Sequence, residues 1–436
     1  MKIESFPREI WAWALYDFAN SSYSTALAGV IFNVYFVQVV VGPQGISLFG
    51  NQITSSAVWG YVVSFSMLAV AVSAPVLGAI ADHNALKKKF LLVFCYIGVL
   101  STSLLFLVSG GDVWLAIIFY VVSSMTLEWS LVFYNGFLPE IASRERMGRI
   151  SGLGWAVGYV GGVLCLIVNL AIIERPGWFG LPIVDNIPVR STFLVVALWW
   201  GLFSIPTFLW LPERARARPL SSGAGYVKTG LRNLLTTLRK INQYRELGKF
   251  LIAFLIYNDG VQTVIVMAAV FGAQVLGMSQ KELILCFILI HIVAFVGSLV
   301  FGYLSDKRAI KTSLHICLLI WTSVVLYVVV IDQIWEFWVL GTIVGFALGG
   351  IQACSRALLG QFTPSENSAE FFGFFATSGK FAAILGPVLF AVLTDLTGTP
   401  RFGIVSIALF FVVGWVVLCF VDEEKGIGES RHSVVS

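Results

Sequence analysis

Charged residues are scarce in this sequence. Asp, Glu, Lys and Arg make up 12% of its 436 residues, whereas a soluble domain carries about 25%. Hydrophobic residues make up 58%, and the mean hydropathy is +0.87. A water-soluble helical protein needs charged outer faces, so the shortage excludes that class and indicates an integral membrane protein.

Common motifs of catalysis and cofactor binding are also missing. The chain has no Gly-rich phosphate loop ending in Lys-Ser/Thr, no His-Glu-x-x-His and no Gly-x-Ser-x-Gly. Its six cysteines all fall inside apolar runs, without metal-ligand spacing or a paired framework in loops. We therefore expect no enzyme activity, no catalytic residue, no metal or cofactor, and no ATP-driven step. The net charge of +4 does not argue for a nucleic-acid partner.

What the sequence has instead is long apolar runs. A helix needs about 20 mostly apolar residues to cross a bilayer, and twelve runs meet that length. The first begins directly after "MKIESFPREI" and is too long for a signal peptide, so we expect no cleaved leader. The runs cover residues 10–41, 52–81, 89–110, 113–135, 149–173, 190–211, 247–272, 281–304, 311–331, 335–360, 370–395 and 399–421. They predict an all-α integral membrane protein with twelve transmembrane helices.

Basic residues are distributed unevenly between the loops. With the N-terminus inside, 23 of the 28 Lys and Arg residues fall in segments on the cytoplasmic side and four outside, while Lys380 lies within a span. Positive residues favour the cytoplasmic side of short loops. We therefore predict that both termini are cytoplasmic, in the inner (plasma) membrane of a bacterium.

A sequence repeat divides the chain. "GAIAD" (78–82) and "GYLSD" (302–306) lie 224 residues apart, and each closes an apolar run that basic residues follow. The repeat predicts two pseudo-symmetric six-helix halves in parallel orientation, residues 1–211 and 247–436, the organisation of the major facilitator fold.

The connection between the halves, residues 212–246, has its own pattern. Its apolar residues follow helical spacing while basic residues occupy other faces. The pattern predicts an amphipathic helix at the cytoplasmic interface, bound to anionic lipid headgroups. A solvated tether is the alternative, because a Ser/Gly stretch precedes the pattern.

The repeated Gly-x-x-x-Asp resembles the signature loop of the major facilitator superfamily, with His83 and Ala85 departing from its usual pattern. Glycine lets two helices approach, and the aspartate can accept bonds at a neighbouring helix N-terminus. The resemblance implies a gating role for four residues: Gly78, Asp82, Gly302 and Asp306.

Three further stretches resemble one family within that superfamily. They are "WALYDFANSSY" (13–23), "FLPEIASRERMGRISGLGWAVGYVGG" (137–162) and "GGIQACSRALLGQFTPSENSAEFFGFFATSGKFAAILGP" (349–387). They are similar to the "unknown major facilitator" family, which includes fungal vacuolar, autophagy-linked amino-acid effluxers and many bacterial permeases. The resemblance spans nearly the whole chain, and it implies a permease with amino-acid export as the expected activity.

Polar residues inside the spans are the candidate site. Asp17 is followed by Asn20, Ser21 and Ser24 at three, four and seven residues, so all four share one helix face. Asp259, Gln262 and Thr263 repeat the stripe in the seventh span. Ionisable residues inside a bilayer cost about 2.5–3.5 kcal/mol each and usually mark function. We expect both stripes to face a water-filled cavity.

Other spans contribute to the same predicted cavity. Helices 1, 4, 7 and 10 surround the path in the facilitator fold, and the eighth and eleventh spans add His291 and Lys380. The further candidates are Ser124, Glu128, Asn135, His291, Gln352, Ser355, Arg356 and Lys380. The acids and bases could hold a zwitterion. They could equally pair internally, Glu128 with Lys380 or Asp17 with Arg356. His291 could carry a coupling proton or be a packing residue.

These patterns predict a secondary active transporter of a small polar solute, with amino acids favoured and a proton or other ion gradient as the energy source. A small-molecule substrate and membrane lipids are the expected partners of a monomer. A lipid translocase and a transport-inactive membrane sensor remain alternatives.

Overall fold

The computed structural model describes residues 6–48, 51–215, 241–328, 330–398 and 400–432. Within these ranges, twelve helices are long and apolar enough to cross a membrane. The twelve predicted spans are thereby confirmed. The helices are α1 (Arg8–Val40), α2 (Ser55–Asn84), α3 (Lys87–Leu104), α4 (Val113–Gly136), α5 (Met147–Glu174), α6 (Ile187–Trp210), α7 (Arg245–Gln274), α8 (Gln280–Lys307), α9 (Ile310–Tyr327), α10 (Ile334–Phe362), α11 (Ser368–Thr397) and α12 (Pro400–Cys419).

Two features of the fold do not follow from the hydropathy pattern. Helix α1 contains π-helical segments at Tyr23–Ile31 and Phe36–Val40, a geometry that often occurs at functional sites. Between α1 and α2 lies a small antiparallel hairpin of β1 (Ile46–Leu48) and β2 (Asn51–Ile53), in which Ile46 is opposite Ile53. Such short pairs carry too few residues for a recognisable alternation of apolar and polar residues.

Two segments outside the membrane-length helices bear on the sequence predictions, namely the 212–246 connection and the residues after α12. The predicted amphipathic helix of the 212–246 connection falls mainly on residues 216–240, which lie outside the described residues. After α12, the chain forms a further short helix, α13 (Glu423–His432), that the sequence did not predict. Its composition is polar, so no apolar run marks it.

Contacts divide the chain into two compact units. Unit 1 comprises Met1–Ser73, Leu86–Tyr134 and Val157–Glu213, and unit 2 comprises Ala74–Ala85, Asn135–Ala156 and Arg214–Ser436. The end of α2 and the α4–α5 junction therefore group with the C-terminal helices. The division into halves at residues 211 and 247 remains a prediction from the sequence repeat.

Close backbone approaches build both units. In unit 1, a Cβ on Gly161 of α5 would lie 2.2 Å from the Phe18 carbonyl oxygen of α1. In unit 2, a Cβ on Gly349 of α10 would lie 2.1 Å from the Ala294 carbonyl oxygen of α8. Lipid tails provide no hydrophobic driving force between helices, so small residues that allow such tight packing are the expected solution in a membrane.

Candidate functional site

The polar stripe of α1 lies against α4 and α5 within unit 1. Asp17 is 6% exposed, and its Oδ2 accepts a 2.8 Å hydrogen bond from the Tyr134 hydroxyl. A Cβ on Gly158 would lie 2.9 Å from Ser21 Oγ, so this glycine makes room for the stripe. Asn20 is buried and donates to the Tyr16 carbonyl oxygen at 2.7 Å, whereas Ser24 is exposed. The stripe thus runs from a buried carboxylate to an exposed hydroxyl.

The three candidate residues of α4 differ in burial. Ser124 is buried, and Glu128 and Asn135 are partly buried. The neighbouring Ser123 shares a 2.8 Å hydrogen bond with the Tyr23 hydroxyl of α1, which fixes the first π-helical segment against α4.

The second stripe lies between α7 and α11 in unit 2. Asp259 is 1% exposed, and its Oδ1 accepts bonds from the Gly386 N–H at 2.9 Å and from the Thr263 hydroxyl at 3.4 Å. Gln262 is partly buried. Two residues before Asp259, the Tyr257 hydroxyl lies 2.7 Å from Ser355 Oγ of α10.

Arg356 is enclosed by residues of the 135–156 segment. It is 3% exposed, and it donates from Nε to Ser151 Oγ at 3.0 Å and from Nη2 to the Ser151 carbonyl oxygen at 2.6 Å. Nη1 donates to Asn135 Oδ1 at 3.3 Å, and the guanidinium carbon lies 5.2 Å from the Trp155 ring centroid. A buried guanidinium that makes several hydrogen bonds and contacts an aromatic face is well stabilised.

The remaining candidates, His291, Gln352 and Lys380, are only partly buried. His291 Nδ1 lies 2.9 Å from the Phe287 carbonyl oxygen, and the centroids of the His291 and Phe287 rings lie 4.4 Å apart with the rings tilted by 52°, an arrangement typical of a packing residue. The pairings of Asp17 with Arg356 and of Glu128 with Lys380 stay predictions.

The two aspartates of the repeat each cap a helix, both within unit 2. Asp82, at the end of α2, accepts the Ala369 N–H on Oδ1 at 3.2 Å and the Glu370 N–H on Oδ2 at 2.8 Å. Asp306, at the end of α8, accepts the Arg149 N–H on Oδ1 at 3.3 Å. Both therefore bind the first turn of another helix, α11 or α5, where N–H groups lack intrahelical partners and the helix dipole attracts negative charge.

The glycines of the repeat bring these helix ends together. A Cβ on Gly78 would lie 2.3 Å from the Ala369 carbonyl oxygen, and one on Gly302 would lie 2.8 Å from the Gly148 carbonyl oxygen. Without side chains at these positions, the aspartates one turn later come within hydrogen-bonding distance of the helix N-termini. The structure therefore unites each glycine with its aspartate in one contact.

We define two contacts by these residues: the α2–α11 contact (Gly78 and Asp82 with Ala369 and Glu370) and the α8–α5 contact (Gly302 and Asp306 with Gly148 and Arg149). Sequence reasoning missed Arg149, whose Nε forms a 2.6 Å ion pair with Asp306 Oδ2. The signal was present as the basic residue that begins the fifth span, but it was counted only toward topology.

A second pair of carboxylate caps was also missed. Glu213, three residues after α6, accepts the Lys87 and Lys88 N–H groups at the start of α3, at 2.7 and 3.4 Å. Glu423, after α12, accepts the Ile310 and Lys311 N–H groups at the start of α9, at 3.0 and 2.9 Å. The matching tripeptides "LPE" (211–213) and "VDE" (421–423) are the sequence signal for this pair.

Helix α13 is anchored within unit 2 by Arg144. This side chain donates to the Ile427 carbonyl oxygen at 3.2 Å and to Ser430 Oγ at 2.8 Å. Gln361 Nε2 in turn donates to the Arg144 carbonyl oxygen at 3.0 Å. The end of α10, the α4–α5 junction and the C-terminal helix are thereby joined.

Comparisons with solved structures identify the fold. The human organic anion transporter MFSD10 superposes with a TM-score of 0.72 at 13% sequence identity, covering 94% of this chain and 99% of that one. The proton:xylose symporter XylE superposes with a TM-score of 0.70 at 14% identity, covering 98% of each chain. With twelve membrane-length helices in the described part of the chain, the protein is an integral membrane protein with the major facilitator fold.

Sequence comparisons identify the family. The family described as "Vacuole effluxer Atg22 like" matches residues 6–431. The Bacillus subtilis protein named "Uncharacterized MFS-type transporter YxiO" is 33% identical over 430 residues, 99% of this chain and 98% of that protein. Autophagy-related protein 22-1 of Penicillium rubens is 25% identical over 480 residues, 90% of this chain and 80% of that protein. The chain belongs to the Atg22-like effluxer family and is a transporter of the major facilitator type, so the predicted family is confirmed.

Proposed function

We propose that this protein is a secondary active transporter that moves a small polar solute, with amino acids as the favoured class, by proton-coupled alternating access. The observation that carries the proposal is the pair of glycine–aspartate contacts in unit 2. Each joins the end of the second helix of one sequence half to the first turn of the fifth helix of the other. A few hydrogen bonds of about 1–3 kcal/mol each can form and break within a transport cycle.

The favoured substrate class follows from the buried charges. Acidic Asp17, Glu128 and Asp259 and basic Arg356 and Lys380 all lie within membrane spans. A zwitterion offers a carboxylate to the bases and an ammonium group to the acids. The family description "Vacuole effluxer" favours export as the direction, and the loop charges favour cytoplasmic termini in a bacterial inner membrane.

The test is transport in proteoliposomes with an imposed pH gradient. We expect at least one radiolabelled amino acid from a mixture of the twenty to accumulate against its gradient, and a protonophore to abolish the accumulation. Asp306→Asn should reduce the rate because it loses the ion pair with Arg149, whereas Glu174→Gln, at the exposed end of α5, should not.

Two results would overturn the proposal. One is the absence of both accumulation and exchange for every amino acid. The other is movement of a fluorescent phospholipid between leaflets of the same vesicles, dependent on the protein and unaffected by amino acids, which would support the lipid translocase instead.

A further inference from the structure

Asp259 lies at the midpoint of α7 and is buried. Its side chain is 1% exposed, and no described basic residue forms an ion pair with it. Helix α7 packs against α8, α10, α11, α12 and α13, and some of their ionisable residues are bound elsewhere. Arg356 binds Ser151 and Asn135, and Arg401 pairs with Asp332 at 2.5 Å. The other ionisable residues of these helices whose side chains are described form no ion pair with Asp259; they are Arg245, Glu246, Lys249, Tyr257, Glu282, Cys286, His291, Tyr303, Asp306, Lys307, Glu336, Cys354, Glu370, Lys380, Asp395, Cys419, Glu423, Glu424, Lys425, Glu429 and Arg431.

The two carboxylate oxygens of Asp259 have different surroundings. Oδ1 accepts the bonds from Gly386 and Thr263, whereas Oδ2 is buried without a hydrogen-bond partner among the described residues. An ionised carboxylate with a bare oxygen in an apolar interior is far less stable than a neutral carboxyl group. The site therefore favours the protonated form in this conformation.

Helix α11 approaches this carboxyl group through a glycine that a proline follows directly. A Cβ on Gly386 would lie 1.9 Å from Thr263 Oγ1 and 2.7 Å from Asp259 Oδ1, so only glycine lets the α11 backbone donate here. Pro387 follows directly inside the helix, and its missing N–H removes the regular bond to the carbonyl of residue 383. A helix that lacks this bond bends more easily at that point.

We propose that Asp259 is a proton-binding site, protonated on Oδ2 in the conformation described here. When α11 bends away from α7, water reaches the carboxyl group, the O–H bond breaks and the proton passes to water. The Gly386 donor and its neighbouring proline would make proton release depend on the position of α11. This inference rests on the proposed proton-coupled transport and names the group that carries the proton.

A chemical test reports protonation without any transport assay. Dicyclohexylcarbodiimide is an apolar reagent that adds to a protonated carboxyl group and rearranges to a stable N-acylurea. We expect mass spectrometry of the labelled full chain in lipid to find the adduct on Asp259, at least tenfold less at high pH than at low pH. Asp259→Asn should remove it, and Asp395, exposed on the same α11 helix, should stay unlabelled.

The glycine gives a second variant with a matched control. Gly386→Ala should shift the pH midpoint of Asp259 labelling because the added methyl group displaces the donor. Gly379→Ala lies on the same helix with its nearest contact at an ordinary 3.7 Å, so it should leave the midpoint unchanged. Labelling of Asp259 that is absent at every pH, or protection by NaCl but not KCl, would overturn the proton site, the latter in favour of sodium.

Transport separates this inference from the proposed function. In proteoliposomes, Asp259→Asn should keep exchange of a radiolabelled amino acid but lose accumulation driven by a pH gradient at least tenfold, while Asp395→Asn keeps both. Normal accumulation by Asp259→Asn would overturn the inference alone. If the wild-type protein moves no amino acid, the proposed function fails, and the carbodiimide result still decides whether Asp259 binds a proton.

Discussion

The α2–α11 and α8–α5 contacts occupy corresponding places in the repeat, yet they are built from different chemistry. In the α8–α5 contact, the third residue of α5 is Arg149, which adds an ion pair to the hydrogen bond that Asp306 accepts. In the α2–α11 contact, the third residue of α11 is Glu370, a carboxylate that cannot pair with Asp82. There, both oxygens of Asp82 accept backbone N–H groups instead.

The two contacts also differ in the backbone that their glycines face. Gly302 faces another glycine, Gly148, whereas Gly78 faces the backbone of Ala369 at a closer distance. A helix N-terminus presents free N–H groups whatever its side chains are. The contact geometry can therefore persist in both copies of a repeat while the side chains around it change.

The largest effect on stability is expected from substitution of Gly78 and Gly302. Gly78→Ala should lower the free energy of unfolding by about 2 kcal/mol, because overpacking against backbone costs about 1–3 kcal/mol. Gly302→Ala should cost less, since its Cβ would lie 2.8 Å from the nearest atom instead of 2.3 Å. Thermal unfolding of the purified variants would measure the order.

Gly60 provides the control on the same α2 helix, because a Cβ there meets nothing within 4 Å. Gly60→Ala should leave the melting temperature unchanged or raise it. Equal losses of stability in Gly78→Ala and Gly302→Ala would contradict the predicted difference between the α2–α11 and α8–α5 contacts, since both helix pairs would then relax equally well.

An intermediate effect is expected from the ion pair. A double-mutant cycle of Arg149→Gln and Asp306→Asn should give a coupling energy of about 1–2 kcal/mol, because Asp306 is buried while Arg149 is partly exposed. The exposed pair Lys425–Asp422, at 3.2 Å, is the control and should show a much smaller coupling energy, because solvent screens exposed ion pairs. Equal coupling in both pairs would remove the proposed difference between the two contacts.

The smallest effect on stability is expected from Glu423, the carboxylate that caps α9. Burial raises the pKa of Glu423 above its ordinary value, although the N–H groups of Lys311 and Ile310 oppose the shift. The folded protein therefore holds this proton more tightly than the unfolded chain does. Its stability should fall as the pH rises from the ordinary Glu pKa of about 4.3 toward the raised pKa.

Glu423→Gln removes this titration, so its melting temperature should depend less on pH across that window than the wild-type value does. Lys425→Gln, two residues later on an exposed side chain, is the control for a general charge effect. A wild-type stability that rises with pH in the same window, and rises equally in Glu423→Gln, would contradict the assignment.

Local patterns explain how much of the fold was predictable. Twelve spans and the family followed from hydropathy and short motifs, and the structure and comparisons confirm both. The π-helical segments of α1, the short β-hairpin and α13 were missed, because none of them carries a strong periodic signal. The candidate residues were recognisable as polar groups in apolar surroundings, but their partners were not.

The sequence by itself determined twelve apolar runs of membrane-spanning length and a repeated glycine–aspartate motif, because both can be read from short stretches of the chain. Only the tertiary structure decided that Arg356 binds Ser151, that Asp82 caps α11 and that Asp259 meets the backbone of Gly386. These contacts join residues more than a hundred positions apart. They depend on which glycines let two backbones approach, and that is settled only when the helices are packed.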